Sequence, residues 1–265
     1  MDQHRYLARI GADEIADTSV ASLTTLQWAH MRSVPFENLD VFLGRRLCLD
    51  VPALFDKVVN KRRGGYCFEL NTLYAALLAE LGFSPIPHLG RVWLRNPPEA
   101  PAKNHLVHTV KLDGKRYVTD VGFGGRAARV PLDVDNPASI DDGDGDGPIR
   151  IRTDREFGYF VERRSSEGWQ RQYSFTLEPA HPADVRVANH YTETHPDSRF
   201  VRDRYAGRFT EHGRIGLFDR RLTVRRGADS QEITVDGGDA WLACIKSHFG
   251  LTLELTETER TRLTQ

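Results

Sequence analysis

Apolar positions follow helical spacing in the first third of the chain and strand spacing through the middle, and the two alternate toward the end. Within residues 1–83 they recur about every 3.6 residues, from Leu23, Leu26 and Trp28 onward. The clearest run is Phe68, Leu73, Tyr74, Leu77, Leu78 and Leu81, which Gly82 and then Pro85 stop. From 84 to 190 the pattern shortens to β-rich pieces at 91–94, 149–152, 158–163 and 170–177, with two more on either side of Asp113-Gly114. Residues 191–265 mix strands at 222–225 and 232–235 with a helix near 240–249. Helices first, strands next and a mixed end predict an α+β chain whose parts form one unit.

The last helix of the first part opens on Arg63-Gly64-Gly65-Tyr66-Cys67-Phe68-Glu69-Leu70-Asn71. A thiol at a helix start faces unpaired N–H groups and the positive end of the helix dipole. Both favour thiolate, the nucleophilic form. Gly64 and Gly65 let the backbone turn sharply and leave room for a substrate near the sulfur. An isolated cysteine there is more often a small buried core residue, so its partners decide.

Those partners lie about forty residues on, around a hairpin signalled by Asp113-Gly114. With a two-residue loop, Leu112 pairs with Lys115 and Val107 faces Asp120. His105 is then one diagonal away on the same face, roughly 7–8 Å off, within reach of a short carboxylate. His108 falls on the opposite, core-like face with Leu106, Val110, Leu112, Tyr117 and Val121. A three-residue loop that includes Lys115 would instead set His108 across from Asp120, so spacing leaves both histidines in play.

Arg63-Gly64-Gly65-Tyr66-Cys67-Phe68-Glu69, a later histidine, and Asp120-Val121-Gly122-Phe123-Gly124 together resemble the signature set of the arylamine N-acetyltransferases. Tyr6-Leu7-Ala8-Arg9-Ile10-Gly11, Val34-Pro35-Phe36-Glu37-Asn38-Leu39-Asp40 and His195-Pro196-Asp197-Ser198-Arg199-Phe200 resemble further family segments in the right order. The resemblance implies a helical bundle over 1–83, a β-barrel over 84–190 and an α/β lid over 191–265. It also implies a cysteine-protease-like triad of Cys67, His105 and Asp120, since the family histidine precedes the aspartate by fifteen positions. Acetyl-CoA is the implied acyl donor, and an arylamine, arylhydrazine or arylhydroxylamine the acceptor, with a ping-pong route through a Cys67 thioester. Phe36 and Phe123 are placed near the acceptor, and Phe200 near the coenzyme. Gly124 and Gly125 would let a phosphate-bearing molecule approach the backbone. Two other readings share these residues: a macrolactam-forming amide synthase of the same family, and a thiol hydrolase.

Composition changes this picture little. Of 265 residues, 40% are hydrophobic and 28% charged, as in an ordinary globular enzyme. The net charge of −1 argues against a nucleic-acid or anionic-membrane partner, so local arginines must meet the polyanionic coenzyme. No apolar run reaches ~18 residues, and the start lacks a charged-then-apolar leader. Cys48, Cys67 and Cys244 have no metal-ligand spacing, so no metal is expected and a reducing cytoplasm fits. Cys48, between Leu47 and Leu49, and Cys244, beside Ile245, read as buried. Arg9, Glu37 and Arg63 could form one buried ion-pair network behind the cysteine loop, while Glu69 suits the first turn of the helix. Asp142-Gly143-Asp144-Gly145-Asp146-Gly147 starts like a calcium loop, but the twelfth position is Thr153 and no helices flank it. An acidic surface loop is the expectation.

Overall fold

A computed structural model describes residues 1–12, 15–143, 147–227 and 229–265. Helices α1 (Gln3–Ile10), α2 (Val20–Ser33), α3 (Leu39–Phe42), α4 (Val51–Phe55) and α5 (Cys67–Glu80) fill the first part, with a two-residue strand β1 (Phe36–Glu37) among them. Local signals set their ends. Asp2 accepts from the Arg5 N–H before α1, and Gly11 closes that helix in the left-handed conformation at φ 67°. Ser19 accepts from the Ser22 N–H at the start of α2. A π-helical turn, Asp56–Asn60, follows α4 and sets Lys57 beneath α5.

Seven strands follow: β2 (Ile86–Val92), β3 (Lys103–Leu112), β4 (Lys115–Thr119), β5 (Leu132–Asp133), β6 (Ile149–Asp154), β7 (Gly158–Ser165) and β8 (Gly168–Phe175). They form one antiparallel sheet in the order β5-β4-β3-β2-β8-β7-β6, and its edge strands β5 and β6 meet, leaving a nearly closed, barrel-like sheet. Asp113 and Gly114 both take positive φ, 49° and 80°, as a two-residue primed turn requires. Leu112 therefore pairs with Lys115, and His108 with Thr119.

Helices α6 (Pro182–Thr194) and α7 (Arg199–Arg202) lead into β9 (Tyr205–Thr210), β10 (Gly213–Phe218), β11 (Arg221–Arg226) and β12 (Asp229–Thr234), then α8 (Asp239–Phe249) and α9 (Glu257–Thr264). β1 is the outer strand of this second sheet, with Phe36 opposite Gly207 and Glu37 opposite Ala206. The start of the chain is thus stitched into its end. One apolar core joins α1, α2 and α5 to the barrel-like sheet, and a second packs Leu39 and Leu43 against α8.

Hydrophobic spacing missed α6, β9 and β10. α6 runs unbroken through residue 190, yet Val187 on it is 72% exposed and its buried side is the polar-leaning set Ala188, Asn189 and Thr192. Its one local signal is Pro182 at the first turn, with Asp184 accepting from the His181 N–H. Cys48 is exposed, not buried. Alternation of this stretch turns Leu47 and Leu49 toward the core and the thiol outward. Cys244 is buried on α8. Of the acidic segment 142–147, residues 144–146 lie outside the described residues. Asp142 is turned inward onto the buried Arg163, with two contacts of 2.9 and 2.7 Å.

Candidate active site

Cys67 is the first residue of α5, and the Glu69 carboxylate accepts from the Tyr66 N–H at 3.1 Å. That bond fixes the turn on which the sulfur sits. Cys67, His105 and Asp120 are buried, at 3%, 1% and 5% exposure. The two-residue hairpin puts His105 diagonally across from Asp120, and its Nε2 lies 2.7 Å from Asp120 Oδ2. Cys67 is close enough to act on the His105 imidazole, and its Sγ donates to the Asn104 carbonyl at 3.7 Å. His108, the alternative, falls among core residues opposite Thr119. Burial, with His88 nearby, drives its imidazole down to about 3, so it stays neutral.

Three donors converge on Asp120. Besides His105, Oδ1 accepts from Asn71 Nδ2 at 2.8 Å and from the Gly122 N–H at 2.9 Å. Burial would raise this carboxyl, but His105, Asn71 and Gly122 hold it below its ordinary value. For His105 burial pushes downward, yet Asp120 and Cys67 outweigh it and lift the imidazole from 6.5 to about 10. A histidine raised on folding stabilises the fold fully below its unfolded value and loses that contribution as pH climbs through its folded value. The stability gap between the natural protein and His105→Gln, read by thermal melting, is therefore expected to shrink from pH 6.5 to about 10. A gap that stays constant over that window would contradict the charged pair.

Asn71, Gln27, Gly122 and Tyr173 escaped the sequence reading. Asn71 sits four residues after Cys67 on one face of α5, and a lone amide inside an apolar stripe was the available signal. Its Nδ2 also donates to the Leu106 carbonyl at 2.6 Å, and its Oδ1 accepts from the Val121 N–H at 3.0 Å, tying the helix to both strands of the hairpin. Gln27 Oε1 accepts from the Thr119 hydroxyl at 2.7 Å. Tyr173 sets its ring, tilted, 4.9 Å from His105, and it lies near enough to Asp120 for that carboxylate to act with burial in raising its hydroxyl. A Cβ on Gly122 would fall 2.8 Å from both Cys67 Cα and Asn71 Nδ2. Gly122→Ala is accordingly expected to cost about 1–3 kcal/mol of stability, seen in denaturant unfolding, together with activity.

The glycine pair before Cys67 does not leave open room. A Cβ on Gly64 would lie 2.1 Å from the Pro35 carbonyl oxygen, and one on Gly65 would lie 2.9 Å from Glu69 Oε2. The space is spent on packing β1 against the cysteine loop, where the Glu37 N–H donates to the Gly65 carbonyl at 2.8 Å. Behind this loop, Arg63 binds Glu37 at 2.7 Å and Asp40 at 3.2 Å. Lys57 bridges Asp40 at 2.6 Å to Glu69 at 2.7 Å. Glu37 also caps α3 by accepting from the Leu39 N–H at 2.9 Å. Burial would raise Asp40, but Lys57 and Arg63 hold it well below the carboxylate range. Arg9 does not belong to this network as expected. It donates instead to the carbonyls of Val58 and Ser33, because α1 aims it at the ends of neighbouring helical segments.

Aromatic rings close the site. Phe123 lies 5.4 Å from the His105 ring and 5.1 Å from Tyr173. Phe36 contacts Phe200 at 6.0 Å and Tyr205 at 5.5 Å. Gly124, at φ +72°, lies against Phe36, where a Cβ would come within 2.5 Å of the ring, and its carbonyl accepts from the Tyr205 hydroxyl. Phe200 also packs edge-on to Tyr66, 5.6 Å away, so α7 reaches the residue before the cysteine.

A helix-start cysteine beside a histidine–carboxylate pair, where a helical layer meets a barrel-like sheet, gives an α+β chain the residue set of a thiol-dependent acyl-group enzyme. A family model described as N-acetyltransferase matches residues 19–258. The arylamine N-acetyltransferase of Mycolicibacterium smegmatis is 37% identical over 96% of this chain and 93% of its own. The Salmonella typhimurium arylamine N-acetyltransferase / N-hydroxyarylamine O-acetyltransferase is 32% identical over 94% and 88%. The structure of Mycobacterium marinum arylamine N-acetyltransferase in complex with CoA superposes with a TM-score of 0.90, at 33% identity, covering 99% of this chain and 97% of that one. The chain belongs to the arylamine N-acetyltransferase family.

Proposed function

We propose that the protein transfers an acetyl group from acetyl-CoA to arylamines, arylhydrazines or arylhydroxylamines through an acetyl-Cys67 thioester. The reading rests chiefly on the 2.7 Å bond between His105 and Asp120 beside a cysteine that begins a helix. Cys67 reacts as thiolate with His105 as imidazolium. The sulfur attacks the thioester carbon, the bond to coenzyme sulfur breaks, and His105 gives its proton to the departing coenzyme thiolate. The acetyl-enzyme then carries a neutral sulfur and a neutral imidazole, which Asp120 keeps in the useful tautomer. An acceptor amine adds to the thioester, His105 takes the amine proton, and the Cys67 thiolate leaves with the amide formed. Atoms and charge return to the starting state.

Phe36 and Phe123 supply flat apolar walls for the acceptor ring. Phe200 and the Gly124 backbone are assigned to the coenzyme, and the three free cysteines suit a reducing cytoplasm. Initial rates measured against both substrates are expected to give parallel double-reciprocal lines. An intersecting pattern, or hydrolysis of acetyl-CoA that ignores the amine, would overturn the mechanism. Asp120→Asn is expected to lower kcat/KM roughly 10³–10⁴-fold through the wrong imidazole tautomer, as steady-state assays would show.

A further inference from the structure

Lys57 lies behind the cysteine loop and holds it at both ends. Its backbone carbonyl accepts from the Arg63 N–H at 3.0 Å, where the loop begins. Its ammonium donates to Glu69 Oε1 at 2.7 Å, and Glu69 Oε2 accepts from the Tyr66 N–H at 3.1 Å, where the loop becomes α5. Cys67 is the next residue. The lysine sits in the π-helical turn, in which the Lys61 N–H donates to the Asp56 carbonyl five residues back. Such wide turns are rare and recur at functional sites. Here the turn sets a lysine ammonium against the first turn of α5.

The charge balance of the loop depends on this lysine. Glu37, Asp40 and Glu69 are all buried. Arg63 serves Glu37 and Asp40, and Arg45 adds a contact to Asp40 at 3.1 Å. Among the described residues, Lys57 is the only cation paired with Glu69. Burial pushes the Glu69 carboxyl up, Lys57 works against it, and Glu37 and Asp40 add to the rise. Burial alone would strip Lys57 of its proton, but Glu69, Glu37 and Asp40 lift it above its ordinary value and keep it charged. Without that cation a buried carboxylate would stand uncompensated two residues from the nucleophile. It could shed its charge only by taking a proton, and a neutral acid is the weaker acceptor for the Tyr66 N–H. Glu69 is also packed against Gly65, where a Cβ would fall 2.9 Å from Oε2, so a shift of the carboxylate shifts the loop.

We propose that Lys57 is a positioning residue for Cys67: through its ion pair with Glu69 it sets the turn that presents the sulfur to His105 and to the acyl donor, and so governs how fast the enzyme is acylated. The proposal rests on the acetyl-transfer reading and adds to it a residue outside the triad.

The experiment compares the natural protein, Lys57→Met and Lys57→Met/Glu69→Gln at a temperature where melting curves show all three folded. Two rates are read by mass: acetylation by acetyl-CoA without acceptor, and alkylation of Cys67 by iodoacetamide, resolved on its peptide. Lys57→Met is expected to slow both about tenfold or more, the range of a lost charge-assisted hydrogen bond. The double variant should recover most of both rates. It removes the stranded charge, its new amide can still accept from the Tyr66 N–H, and Asp40 keeps Arg63 and Arg45. Lys57→Arg, which keeps the charge, should lose less than Lys57→Met. If Lys57→Met is unfolded, Lys57→Gln, which keeps a donor to Glu69 without the charge, takes its place with the same expected order. Natural rates in Lys57→Met overturn the proposal and leave the lysine a role in stability alone. So do rates that stay low in the double variant, since Lys57 then does not act through Glu69. A loss confined to acetylation, with alkylation at the natural rate, also overturns it and would assign Lys57 to the coenzyme. If the natural protein takes no acetyl group, the acetyl-transfer reading fails. Alkylation needs no acyl donor, so a rate slowed in Lys57→Met and restored in the double variant would still sustain the role of Lys57.

Discussion

Cys67→Ala is expected to abolish acetylation of the protein and to lower turnover roughly 10⁴-fold or more. Incubated with acetyl-CoA and no acceptor, the natural protein should gain the mass of one acetyl group, and an added arylamine should discharge it. The variant should gain none, because Cys244 is buried within the second core and Cys48, though exposed, does not begin a helix and lies outside the His105–Asp120 pair. His105→Ala should fail in the same way, since it removes the group that takes the cysteine proton. His108→Ala should still form the adduct, as that ring is neutral and faces the core. An adduct surviving Cys67→Ala would move the chemistry to another nucleophile. No adduct on the natural protein, with the coenzyme intact, would favour a different acyl donor and the amide-synthase reading.

Arg63→Met is expected to produce the largest loss of stability, about 3–5 kcal/mol, by leaving buried acids without their cation. Glu37 is fully buried and bonded twice to Arg63, at 3.0 and 2.7 Å, and Asp40 also leans on it. At roughly 2–4 °C per kcal/mol for a chain of this size, the melting temperature should fall roughly 6–20 °C. Activity should fall with it even below the melting point, because Glu37 and Arg63 pin β1 against the loop that carries Cys67. Pairing the change with Glu37→Gln should recover part of the loss, since the stranded charge is then removed. A shift under about 1 kcal/mol would mean that Lys57 and Arg45 neutralise the acids alone.

The hairpin shows how far spacing carries. Asp113-Gly114 marked the hairpin but left its loop at two or three residues and both histidines open. The two-residue turn of the structure pairs Leu112 with Lys115, and that register sets His105 and not His108 toward Asp120. α5 was legible from its apolar stripe and its glycine stop. By contrast α6 packs through Ala188, Asn189 and Thr192, small or polar residues that leave no hydrophobic signature. β9 and β10 carry Arg208, Arg214 and three glycines where a strand pattern would show apolar alternation. Arg9 resembled a member of the Glu37–Arg63 network only because all three lie in family-like segments, and the direction of α1 takes it elsewhere.

What the sequence determined by itself is what acts over a few residues: caps, turn φ angles, periodic apolar stripes, and a cysteine set at a helix start. These are local because the backbone groups they satisfy lie within one turn of the side chains that satisfy them. Only the tertiary structure decided the surroundings of Asp120. Asn71 reaches it across 49 positions, Gln27 meets its neighbour Thr119 across 92, and Tyr173 arrives from a strand beyond the hairpin. It also decided that Glu69 shares Lys57 with Asp40, and that Phe36 occupies the space a side chain on Gly124 would need. Contacts of that kind depend on how whole elements pack. Packing answers to the volume and charge of many residues at once, so no single stretch of the chain can announce it.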